Sequence, residues 1–147
     1  MWNLHPQERL AEWKLFRQSL NEYDFETALE KNVAFWSRVP YVDHFLDRIP
    51  KKNWPGPWEL IYNNDFCDLA RALGMCYTWA FTEHAKKSES EIRVYYDHCR
   101  KEMANCFCVD PGGYVLNLEF NTVLKKHSFN RGFELIHTYP THELIEI

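Results

Sequence analysis

Five cysteines and seven histidines are the side chains of this 147-residue sequence best suited to covalent or metal chemistry. Cys67 stands out by its setting, "NNDFCDLARALGMCYTWAF" (63–81), where Leu69, Ala70, Leu73, Tyr77 and Ala80 recur with helical spacing. With Asn64 or Asp65 as N-cap, Cys67 falls at about the second or third helical position. There the helix dipole and free N–H groups favour a thiolate, the form in which cysteine attacks. Asp68 pushes the other way, because a neighbouring carboxylate disfavours a second negative charge. A buried, inert cysteine is the competing reading. A thiol enzyme would need an imidazole base and a group to orient it. The candidates are His98 or His127 with Asp97 or Asp110, so the catalytic set, if there is one, is Cys67, His98 and Asp110.

Cys99, Cys106 and Cys108 with His98 supply enough N and S donors for zinc. Yet Cys106 and Cys108 lie two apart on an expected strand, alternating with Phe107 and Val109, and read as two core-facing thiols. No CxxC knuckle, HxxxH or HExxH spacing occurs, and no Gly-rich phosphate cradle. The expectation is therefore no metal and no cofactor. An odd cysteine count without an export-type leader also argues against a disulfide framework.

The elements that must position these residues are legible from periodicity. Pro6 suits the first position of a helix carrying Leu10, Trp13, Phe16 and Leu20. Asp24 caps a second helix whose face is Phe25, Ala28, Leu29, Asn32 and Trp36. A short third turn is expected over 41–46. The stretch "RIPKKNWPGPWELI" reads as irregular and pinned by Trp54 and Trp58. Gly74 in the central helix costs about 1 kcal/mol of helix propensity, which implies close packing against a neighbour. After the charged "HAKKSESE" the period changes to two. "IRVYYD", "NCFCVD", "YVLNLEF" and "GFELIHTYP" read as strands, with Asp110-Pro111-Gly112-Gly113 as a hairpin turn. The fold class is α+β: an N-terminal helical arm (1–50), then a core (51–147) of one central buried helix and an antiparallel meander of about four strands.

A helix with cysteine at its start, followed by "NCFCVDPGGYVLNLEF", resembles the transglutaminase-like branch of the papain-type thiol fold. The resemblance covers roughly 58–120. It puts Cys67 on the nucleophile, Asn105 where the family has His and Asn117 where it has Asp, with Tyr114 as the aromatic after the turn. Asn neither accepts nor returns a proton at neutral pH, so the overlay implies a scaffold with a vestigial thiol. The succession "FWSRVPYVDHFL", "WPGPWELI" and "DFCDLARALGMCYT" is also similar to small tailed-bacteriophage proteins, which implies a virion part of tail, baseplate or neck.

Net charge is −4 and no run of Lys or Arg exceeds two residues, which argues against direct nucleic-acid binding. No apolar stretch is long enough to cross a bilayer. Aromatic residues make up 16% of the chain, a surplus that suits contact with other subunits. The interaction candidates are Trp13, Phe16, Trp36, Trp54 and Trp58. The expected function is thus a non-enzymatic assembly component made in the cytoplasm and carried into a virion, whose partners are other protein subunits. The alternative is a thiol-dependent hydrolase or acyl transferase using Cys67.

Overall fold

The computed structural model describes residues 1–43, 46–47, 51–125 and 132–145. Helices α1 (Pro6–Ser19) and α2 (Phe25–Trp36) form as their caps and periodicity dictate: Pro6 opens the first, and Asp24 accepts from the Thr27 amide at the start of the second. The described residues of 41–46 are not helical; Tyr41 instead makes a parallel bridge with Phe66. The Pro-rich crossing is more ordered than its composition suggests. Pro57 serves as the first residue of α3 (Pro57–Asn63), a position where its missing N–H costs nothing, and Asn64 ends that helix in the left-handed region. Arg9, buried on α1, donates to the carbonyls of Ile61 and Tyr62 at 3.1 and 2.7 Å, satisfying the frayed end of α3.

The central helix α4 (Asp68–Ala80) is apolar nearly all round: every position from Leu69 to Trp79 is buried except Arg71. α2 packs across it where Gly74 leaves room: a Cβ there would lie 2.5 Å from the Trp36 ring. Thr78, one turn on, accepts from the indole N–H of both Trp13 and Trp36 at 2.9 Å and donates to the Gly74 carbonyl. One hydroxyl on α4 thereby fixes the two tryptophans of α1 and α2.

The other layer is an antiparallel sheet in the order β4-β3-β2-β1-β5. Its strands are β1 (Glu89–Asp97), β2 (Glu102–Asp110), β3 (Tyr114–Leu116), β4 (Val123–Lys125) and β5 (Phe133–Pro140). The α+β class stands, with five strands rather than about four. Val123–Lys125 adds a short edge strand, and the last strand pairs beside β1 instead of continuing the meander. A four-residue helix, α5 (Thr141–Leu144), follows β5. Along β2 the alternation is clean. Phe107 and Val109 join the main core against α4, while Cys106 and Cys108 turn to a smaller cluster with Tyr95 and Val115. Among the described residues no helix is long and apolar enough to cross a membrane.

Candidate active site

Cys67 is not inside α4 but is its N-cap, in extended backbone conformation, and its side chain makes no capping bond. The two- to three-residue difference from the sequence expectation has a simple cause. Phe66 is drawn into the bridge with Tyr41, which holds the chain extended up to Cys67 and starts the helix at Asp68. The thiol therefore sits at the mouth of the helix, above first-turn amides that have no partner within the helix. Cys67 is only 3% exposed, yet it lines a cavity of about 380 Å³ with Tyr41, Asp43, Asp68, Glu102, Asn105 and Asn117 among the walls.

Asp68 organises this cavity. Its Oδ2 accepts from the Asn105 backbone amide at 3.1 Å and from Asn105 Nδ2 at 2.8 Å. Its Oδ1 accepts from Asn117 Nδ2 at 3.1 Å, and the same Nδ2 donates to the carbonyls of Asn105 and Asp68. These oxygens leave each carboxamide one sensible orientation, with nitrogen toward Asp68. Asn105 Oδ1 is consequently turned away, buried and without a hydrogen-bond partner among the described residues. Asn117 reaches Asp68 because it follows β3 with φ of 71°, a left-handed conformation that Asn tolerates better than most residues. The carboxylate beside the thiol is thus not a free charge: three N–H donors are spent on it. Neither carboxamide can carry a proton for Cys67.

The other sequence candidates lie elsewhere. His98 pairs with Glu134 at 2.9 Å on the surface, near the β1–β2 turn. Asp110 accepts from the Gly113 amide in the β2–β3 hairpin, at the far end of β2, roughly 25 Å along the strand by its rise per residue. Neither of them lines the cavity of Cys67, and the length of β2 separates one from the other. Asp97 accepts from the amides of Cys99 and Arg100 and shapes the β1–β2 turn, and His127 falls outside the described residues. Cys99 is exposed, whereas Cys106 and Cys108 are buried, and burial drives the Cys106 thiol well up from its ordinary value. Among the described residues no three His, Cys, Asp or Glu side chains are grouped to hold a metal ion. Of the interaction candidates, Trp13 and Trp36 are spent in the core and Phe16 stacks on Phe35. Trp54 packs on Tyr139, while Trp58 covers Trp13 and stays 53% exposed. Sequence reasoning missed Asp68 as the centre of the network and Tyr41 as a wall; the only local signal for the second was an aromatic directly after Pro40.

A thiol at the start of a central helix, backed by an antiparallel sheet whose second and third strands supply the residues facing it, defines the transglutaminase-like fold. Solved structures of that shape include Legionella pneumophila LapG. In its calcium-bound form the TM-score is 0.71 at 16% identity, over 93% of this chain and 77% of that one. The EGTA-treated form gives 0.73 at 16% identity, over 91% and 73%. A further LapG structure gives 0.71 at 17% identity, over 91% and 74%. No protein-family model matches the sequence. No curated protein matches it significantly.

LapG is a cysteine protease with this fold, and on that finding the expectation of a non-enzymatic tailed-phage virion component is corrected; the likeness favours the thiol-dependent alternative. Identity of this order carries the fold and not the residues' roles.

Proposed function

We propose that this protein is a thiol-dependent hydrolase or acyl transferase with Cys67 as nucleophile. The observation that carries the reading is the position of Cys67: an N-cap thiol that makes no capping bond at the head of α4 and lines the 380 Å³ cavity. Attack by Sγ on an acyl carbon forms the C–S bond, pushes the carbonyl pair onto oxygen, and on collapse releases the leaving group with its bonding electrons. Water, or an acceptor nucleophile, then frees the acyl group and regenerates the thiol.

Two features narrow the substrate. With carboxamides at 105 and 117, those positions deliver no proton to a leaving group, so acyl donors that expel a stable anion suit the site: thioesters and aryl esters ahead of amides. Asp43, Asp68 and Glu102 in the walls favour neutral or cationic acyl groups over anionic ones.

The test uses 4-nitrophenyl acetate and iodoacetamide on the folded protein. Wild type should release nitrophenolate with a Cys67-dependent burst, and iodoacetamide should label Cys67 ahead of the buried Cys76, Cys106 and Cys108. Ester cleavage undiminished in Cys67→Ala, or a Cys67 that is alkylated only after unfolding, would refute the proposal.

A further inference from the structure

The backbone around Cys67 brings in a residue that neither the thiol overlay nor the Asp68 network uses. Tyr41 forms its bridge with Phe66, the residue directly before the nucleophile, and the Val42 amide donates to the Phe66 carbonyl at 2.7 Å. That pairing runs the 41–42 strand alongside the approach to α4 and hangs the Tyr41 side chain over the cavity that Cys67 lines, with half of its surface open. Its ring lies against the Arg71 guanidinium, whose centre is 5.0 Å from the ring centroid. Arg71 is itself one turn along α4 from the thiol, and its amide donates to the Cys67 carbonyl at 2.9 Å. The ring is therefore held at both ends of a short arc, by strand pairing at Phe66 and by a cation–π contact one helical turn past Cys67.

The charged and titratable groups facing the phenol are Asp68, Arg71, Cys67 and Asp43. Partial burial first, then the Asp68 carboxylate, hold the hydroxyl above its ordinary value against the opposing pull of Arg71. Tyr41 is thus a neutral O–H donor across the whole neutral range and not a base. Its hydroxyl makes no hydrogen bond among the described residues.

We propose that Tyr41 donates its phenolic hydrogen to the acyl oxygen while Cys67 attacks, completing an oxyanion site whose other donors are the first-turn amides of α4. This rests on the reading of Cys67 as nucleophile. In the step itself the Cys67 thiolate, formed by loss of its proton to solvent, adds to the acyl carbon. The carbonyl π pair moves onto oxygen, where the phenol and an amide hold it by hydrogen bonds without transferring a proton. The pair then returns to re-form the carbonyl and the leaving group departs as an anion. A donor placed where charge develops lowers the barrier without raising affinity for the ground state.

Alkylation separates this role from any other. Iodoacetamide reacts with the same thiolate by displacement at a saturated carbon, and no oxyanion forms. In Tyr41→Phe the acylation rate with 4-nitrophenyl acetate should fall about 100-fold or more, the loss seen when one oxyanion donor is removed, while the rate of Cys67 alkylation stays at the wild-type value. Unchanged acylation in Tyr41→Phe overturns the assignment. So does a parallel loss of acylation and alkylation, which would make Tyr41 a support for the thiol or for the fold. Ester cleavage that survives Cys67→Ala sinks the nucleophile reading instead, and is told apart because Tyr41→Phe plays no part in that comparison.

Discussion

Asn105 donates both its backbone amide and its side-chain amide to one oxygen of Asp68, although 37 residues separate the two in sequence. This double bond of contacts ties the start of α4 to the middle of β2. It also engages the carboxylate next to Cys67 with amide donors, so that this residue holds the sheet to the helix.

Removing that anchor should be costly. In Asp68→Ala the Asn105 amides lose their acceptor inside a buried setting, and Asn117 Nδ2 loses one of three. Hydrogen bonds to a charged group contribute about 1.5–3 kcal/mol each, so a loss of roughly 2–3 kcal/mol is expected after partial relaxation. Urea unfolding of wild type and variant measures it. A change within experimental error would mean that the network is not an anchor.

Thr78 is the second point where one side chain serves distant partners. Thr78→Val keeps the shape but leaves the indole N–H groups of Trp13 and Trp36 without an acceptor in the core. At about 1–3 kcal/mol for each of the two stranded donors, the variant should lose roughly 2–6 kcal/mol. Thr78→Ser retains the hydroxyl and should lose only the methyl contribution, about 1 kcal/mol. Equal losses in the two variants, read from denaturant midpoints, would show that packing and not the shared hydroxyl matters here.

Alkaline stability follows from the buried thiols. Burial raises Cys76 from 9.0 to about 12 and drives Cys106 upward as well. A thiol that ionises later in the folded than in the unfolded chain adds full stability below the unfolded value, and that contribution drains away as pH climbs toward the folded one. The unfolding free energy should therefore decline from about pH 9 upward, by up to about 1.4 kcal/mol per pH unit for each such thiol. In Cys76→Ala the decline between neutral pH and pH 10 should be shallower than in wild type, whatever the cost of the substitution at neutral pH. Identical slopes in the two proteins would remove Cys76 as a source.

Much of the framework could be read along the chain. Helical spacing marked α1, α2 and α4, Asp24 and Pro6 marked two starts, and the Asp110–Gly113 turn marked the hairpin between β2 and β3. These signals are local: they depend on side chains three or four apart, on one capping bond, or on turn residues. The misreadings came where distant contacts override local preference. Pro57 opens α3 because that segment packs under α1 and is tied to Arg9. Cys67 caps α4 instead of lying within it because Phe66 is held in a bridge to Tyr41.

The site divides in the same way. Sequence alone determined that a thiol stands at the head of a central helix, and that residues 105 and 117 are carboxamides unable to move protons. Only the tertiary structure decided that both carboxamides converge on Asp68 and that neither His98 nor Asp110 lines the cavity of Cys67. It also decided that Tyr41 overhangs the thiol's cavity. The reason is physical: residue type sets what a side chain can donate or accept, but which partner it meets across 26, 37 or 49 positions is set by strand order and by helix-on-sheet packing, and no local pattern encodes either.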